Sequence, residues 1–166
     1  MQLEVRKADL LTFEGDGIVV PTICSGEMTL PIAMSVKRKV GPAVEQEVRE
    51  HAPIAVGACL VTEANAIGAR YLIHAPVVEE ISARVGVENI RRAVRASLLG
   101  ATHYEMDKIG IPGFGYGEGA VSHEETARAI IDEVIGYKRG AHPTIVVLMD
   151  EDDEMYEAFT TQVGGK

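Results

Sequence analysis

Apolar positions along this chain recur with two different periods, and the switches between them outline alternating strands and helices. In residues 2–7, Leu3 and Val5 alternate with polar neighbours and predict a first strand. Asp16-Gly17 leads into Ile18-Val19-Val20, a short apolar run that predicts a buried strand stopped by Pro21. Over residues 32–40, Ala33, Val36 and Val40 fall on one face of a helix, with Lys37, Arg38 and Lys39 mostly outside. Gly41-Pro42 interrupts, and Pro42 fits the first turn of a second helix running to Glu50. Residues 57–63 hold the strand Ala58-Cys59-Leu60-Val61, and residues 71–75 form another, ended by Pro76. Ile90, Val94, Ser97, Leu98 and Ala101 predict a helix over 87–104, and residues 109–111 a strand. Ser122-His-Glu-Glu125 reads as a capping box, with Ala127, Ile130, Ile131, Val134 and Ile135 as the buried stripe of the helix it starts. A central strand at 145–149 and an amphipathic segment at 154–161 close the chain.

This order favours a three-layer α/β/α sandwich with a mixed or mainly parallel central sheet. Ligands of such sheets sit at the carboxyl ends of the strands, so the segments after Lys7, Val20, Ile111 and Leu148 form the candidate rim. The 166 residues are expected to make one domain, 1–166, with no internal repeat.

Composition narrows the function. Hydrophobic residues at 46% and charged residues at 25% fit a soluble globular protein. No apolar run is long enough to span a bilayer and no signal-peptide core is seen, so no membrane partner is expected and a cytoplasmic location is. A net charge of -9 repels polyanions and argues against nucleic acid as a partner. It leaves room for one small anion in a cleft, because salt screens the net field beyond about 8 Å. Cys24 and Cys59 form no Cys-x-x-Cys pair, and the histidines at 51, 74, 103, 123 and 142 lack metal spacing; neither a disulfide framework nor a metal is indicated. Arg84, Arg91, Arg92 and Arg95 read as a helix's polar face, and the acidic run 150–154 as a solvated loop at the sheet edge.

The densest signal is Ile111-Pro-Gly-Phe-Gly-Tyr-Gly-Glu-Gly119, with glycines at 113, 115, 117 and 119 between a strand and a helix. Backbone free of side chains can turn successive N–H groups onto an anion, and the helix start beyond adds partial positive charge. The pattern points to a phosphate or diphosphate held by main chain; a plain flexible connection is the alternative. No Gly-Lys-Ser/Thr comes after it and Gly-x-Gly-x-x-Gly is not satisfied, so neither familiar nucleotide loop is present.

Taken together, Lys7-Ala8-Asp9-Leu10, Asp16-Gly17-Ile18-Val19, the helix from Ala33 to Gly41-Pro42, Ala69-Arg70-Tyr71-Leu72-Ile73-His74 and the glycine loop resemble the macro domain, the family that binds ADP-ribose and its derivatives. The resemblance covers nearly the whole chain. It implies an adenine-reading carboxylate at Asp9, a diphosphate loop of Gly113, Phe114, Gly115, Tyr116, Gly117, Glu118 and Gly119, and further ligand contacts at Leu10, Val20 and Met149. Asp9 reads equally as the cap of a short helical turn, and the two roles are compatible. The implied partner is a small ADP-ribose-like ligand or an ADP-ribosylated protein, with no cofactor.

The departures fall on the distal-ribose side. The family's Asn-Ala-Ala-Asn gives way to Val20-Pro21-Thr22-Ile23, so Ile23 stands where a ribose-binding asparagine would be. Cys24, Ser25 and Thr29 belong to a rebuilt loop, and Thr29-Leu30-Pro31 replaces the glycine run. Binding without efficient turnover is therefore the first expectation. An ADP-ribosyl or ADP-ribose-phosphate hydrolase working through Cys24, Ser25, Glu27 or a substrate-bound water is an alternative, and a structural or oligomerising protein with a closed pocket another. Cys24 would need a base such as His74, which reads otherwise as a satisfied core histidine.

Overall fold

The computed structural model describes residues 1–80, 83–114 and 121–165. A six-stranded sheet runs in the order β1-β6-β5-β2-β4-β3. Its strands are β1 (Gln2–Arg6), β2 (Gly15–Ile23), β3 (Leu60–Glu63), β4 (Ala69–Val78), β5 (Lys108–Ile111) and β6 (Ile145–Met149). Every pairing is parallel except that of β3 with β4. The helices are α1 (Pro31–Val40), α2 (Ala43–Glu50), α3 (Val87–His103), α4 (His123–Gly136) and α5 (Asp153–Gly164), with a 3-10 turn at Leu10–Thr12. No described helix is long and apolar enough to cross a membrane.

Period-2 alternation sorts the strands onto two cores. Val19, Ile73, Ile109, Ile111, Val146 and Leu148 face α3, α4 and α5, while Ile18, Val20, Leu72, Val147 and Met149 face α1 and α2. The expected mixed sandwich is what forms. Arg91 and Arg95 tie α3 to α4: Arg95 meets Glu133 through two hydrogen bonds of 3.0 and 2.8 Å, and Arg91 lies 3.6 Å from Asp132.

Two prolines expected to stop strands do not. β2 continues through Pro21 to Ile23 and β4 through Pro76 to Val78, with Pro21 opposite Ala75 and Thr22 opposite Pro76. Beyond its pairing with β4, β2 meets β5 only through Gly17 and Ile18, and β3 leaves β4 after His74. Both prolines thus stand where a strand has one neighbour, and a missing ladder donor is tolerated there. Helix α4 starts as the capping box requires, Ser122 Oγ accepting from the Glu125 N–H at 3.2 Å.

Candidate functional site

The carboxyl ends of β1, β5 and β6, with the start of α1, surround a cleft of about 390 Å³. The 3-10 turn after β1 supplies Asp9, Leu10 and Leu11, and the first turns of α1 supply Pro31, Ile32 and Ser35. Pro112 and Met149 come from the ends of β5 and β6, with Asp150, Glu151 and Asp152 next on the rim. A hollow of about 440 Å³ lies between Leu3, Tyr137 and Thr144, but at the amino ends of the strands, away from these loops.

Asp9 is exposed and caps the turn: its Oδ1 accepts from the Leu11 N–H at 3.0 Å. Its Oδ2 has no acceptor duty among the described residues, so one carboxylate oxygen remains for an amine. The N–H of Leu10, first in the turn, has no acceptor within it. Leu10 and Met149, 6% and 1% exposed, present only an edge to the cleft. Val20 is a different case. It is fully buried, its strand register turns it into the core beneath α1, and it does not line the cleft.

Asp150, expected in a solvated loop, is 8% exposed. Its Oδ2 accepts from the Gly113 N–H at 3.2 Å and its Oδ1 from the Asp152 N–H at 2.9 Å. Asp152 in turn caps α5 by accepting from the Met155 N–H at 2.9 Å, and its Oδ2 lies 3.3 Å from His123 Nε2. Asp153 pairs with Lys7. Much of the acidic run is therefore structural, which the clustered acids just ahead of an amphipathic segment could have signalled. Gly113 directs its amide at Asp150 rather than at a ligand. A Cβ there would stand 2.5 Å from Met155 Sδ, so packing against α5 already demands glycine. Phe114 is buried. Gly115, Tyr116, Gly117, Glu118 and Gly119 lie outside the described residues.

A second cavity, about 210 Å³, adjoins the first across Pro31 and Ile32. Pro21 and Val77 come from the strand extensions beyond Val20 and Ala75, Leu30 from the entry to α1, and Val85, Gly113 and Phe114 close the sides. Leu30 is the N-cap residue of α1 and offers no side-chain bond, while Pro31 at the first position has no N–H.

Of the rebuilt stretch, Pro21, Leu30 and Pro31 line this cavity and residues 23–29 do not. Ile23 is buried in the core on the α3 side. The Cys24 N–H donates to Val78 O at 3.2 Å, and Cys24 O accepts from the Ile54 N–H at 2.9 Å. Gly26, at φ 84°, packs against the backbone of Val48 and Arg49. The Met28 N–H donates to Glu45 Oε2 at 2.7 Å, a carboxylate also 3.2 Å from Lys37 Nζ. Those contacts, the Met28 amide foremost, hold the Glu45 carboxyl below its ordinary range. Ser25 Oγ accepts from the Glu27 N–H at 3.3 Å, and Thr29 Oγ1 is buried without a partner among the described residues. The loop is thus anchored to α2.

Burial raises the Cys24 thiol pKa above its ordinary value, only partly offset by a Val56 backbone contact. His74 is no base for it. The ring is fully buried in β4, its Nε2 bonded to Thr62 Oγ1 at 2.8 Å and its Nδ1 without a partner among the described residues, so it is a core histidine only half satisfied. Burial lowers its pKa to about 4. No group of His, Cys, Asp and Glu among the described residues could hold a metal ion.

A family model described as Macro domain matches residues 19–130. An uncharacterized protein of Aquifex aeolicus is 35% identical over 164 residues, covering 99% of each chain. One of Mycobacterium tuberculosis is 28% identical over 152 residues, 92% of this chain and 42% of that protein. Among solved structures, a mutant Oceanobacillus iheyensis macrodomain with ADPR matches at TM-score 0.84 and 15% identity, over 98% of this chain and 92% of that one. The macrodomain of Thermus aquaticus DarG matches at TM-score 0.77 and 17% identity, over 91% and 99%. At such identities the likeness is one of fold.

Proposed function

The chain belongs to the macro domain family, and from that premise we propose that its cleft binds ADP-ribose or a related adenosine diphosphate ligand without efficient turnover. The observation that carries this reading is the Asp9–Leu10 turn at the mouth of the cleft. A carboxylate oxygen left over from capping stands beside an N–H without an intrahelical acceptor, a donor–acceptor pair that suits the amino edge of adenine. Leu10, Ile32 and Met149 offer apolar contact to the ring faces. The first turn of α1 stands at the wall shared by the two cavities, and it carries no side-chain cap. Its open N–H groups favour negative charge there, alongside the expected diphosphate loop 115–119. The Oceanobacillus iheyensis macrodomain has been solved with ADPR and with ADP.

Turnover finds little support. Cys24 has its thiol pKa raised by burial, and His74 bonds to Thr62 instead. Ser25 Oγ is engaged with the Glu27 amide.

Titration calorimetry with ADP-ribose, ADP and AMP, paired with melting curves, tests the proposal. A ligand that binds only the folded state adds about 2.7 kcal/mol of stability at a hundredfold excess over its Kd. All three nucleotides should raise the melting midpoint, and Gly117→Glu should remove the part due to the diphosphate. Absence of heat and of any shift with all three would overturn the proposal.

A further inference from the structure

The second cavity tells what kind of group lies beyond the diphosphate. This inference rests on the nucleotide-binding reading of the first cleft. The geometry points to a ligand whose outer end is a short apolar group, such as a branched alkyl or acyl chain on an adenosine diphosphate, in place of a ribose.

Hydrogen-bonding capacity comes first. Of the described residues, Pro21, Leu30, Val77, Val85 and Phe114 wall the cavity, and none of these has a polar side-chain atom. Main chain offers little more. Pro21 and Pro31 have no N–H, the Gly113 N–H is bonded to Asp150, and the open amides in the first turn of α1 are the ones assigned to the diphosphate. A ribose buried here would carry hydroxyls to walls without described partners, and each unmet hydroxyl weakens binding several-fold or more. An apolar group in the same place meets surface of its own kind.

Continuity with the first cleft identifies the occupant as part of the same ligand. Pro31 and Ile32 line both cavities, and Pro112 of the first is bonded directly to Gly113 of the second. A molecule with its adenine at Asp9 and its diphosphate near the start of α1 would extend into the second cavity. That cavity is small, about 210 Å³, enough for a few carbon atoms and not for a protein segment. The nearest candidates for added polarity supply none: position 23 is an isoleucine buried in the same core as Val77 and Phe114, and the Cys24–Met28 backbone lies against Val78, Ile54 and α2.

The decisive experiment compares Kd values for ADP, ADP-ribose and the 3-methylbutyl ester of ADP by titration calorimetry. The ester should bind on the order of tenfold more tightly than ADP, the gain expected from burying several CH₂ equivalents less ordering losses. ADP-ribose should bind no more tightly than ADP. Val85→Thr should cut the ester's advantage at least threefold while leaving ADP unchanged, since Val85 lines the second cavity and not the first. Val85 is part-exposed and threonine keeps its branched shape, so this variant should keep its fold. ADP-ribose binding tenfold better than ADP, or an ester no better than ADP, would overturn the apolar-end inference while the nucleotide reading stands. Failure of all three to bind would remove both.

Discussion

The two cavities share Pro31 and Ile32, yet their chemistry is opposite. The inner one is bounded by Asp9, Ser35 and the acidic run after β6. The outer one is bounded by prolines, valines, a leucine and a phenylalanine. Both hang on carboxyl ends of the same sheet, so the difference does not come from the frame. It comes from the segment that continues each strand. After β1 and β6 the chain turns at once into capped helical turns, whose caps leave carboxylates at the surface. After Val20 and Ala75 the strands run on through proline, carrying apolar side chains outward to the rim. The same sheet can thus set a polar cleft beside an apolar cavity.

The strongest challenge to that contrast is acid. β4 also carries His74, on the sheet face opposite Val77, and burial there lowers its pKa to about 4. The unfolded chain takes up this proton near pH 6.5 and the folded chain only near 4, so stability should be full above pH 6.5 and fall as pH drops between them. The loss should approach about 3 kcal/mol. Urea unfolding at pH 7 and pH 4.5 reads it, and His74→Asn should lack this component. A wild-type slope no steeper than the variant's would mean that water reaches the ring.

Gly113 lines the second cavity next to Pro112 of the first, and its alanine variant comes next in size. The added Cβ meets Met155, which is fully buried, so overpacking should lower stability by about 2 kcal/mol in thermal or urea unfolding. Wild-type stability in Gly113→Ala would show that the seam has slack.

A smaller effect isolates the polar end. Asp9→Asn keeps a side-chain oxygen for the Leu11 amide, so the melting point should hold while AMP and ADP each lose about tenfold in affinity. Equal affinity in the variant would deny Asp9 its role in reading the base. The smallest expectation is no change at all. Cys24→Ser should leave ligand affinity and any ADP-ribosyl hydrolysis at wild-type levels, since its loop faces α2 and its thiol pKa is raised. A selective loss of hydrolysis would revive the enzymatic alternative.

The elements legible in advance were those governed by local rules. The stripe of α4, the capping box at Ser122 and the apolar run of β6 each depend on neighbours within a turn or a strand. Asp9's cap was legible for the same reason. The full lengths of β2 and β4 were not, because whether Pro21 and Pro76 end a strand depends on how many neighbours it has there. Val77 and Val85 gave no sign of lining a cavity. Asp150 looked like one more exposed acid, and its burial comes from a partner 37 residues away, Gly113.

By itself, then, the sequence determined the alternation of strands and helices, the mixed sandwich and the macro-domain pattern, since periodicity, caps and turn residues act over a few positions. Tertiary structure alone decided which face Val20 takes, that the Cys24–Thr29 loop binds α2, and that an apolar cavity adjoins the cleft. Those outcomes depend on pairing register and on contacts such as Met28 with Glu45, made between residues distant along the chain. A linear pattern of polarity holds no information about them until the sheet has closed.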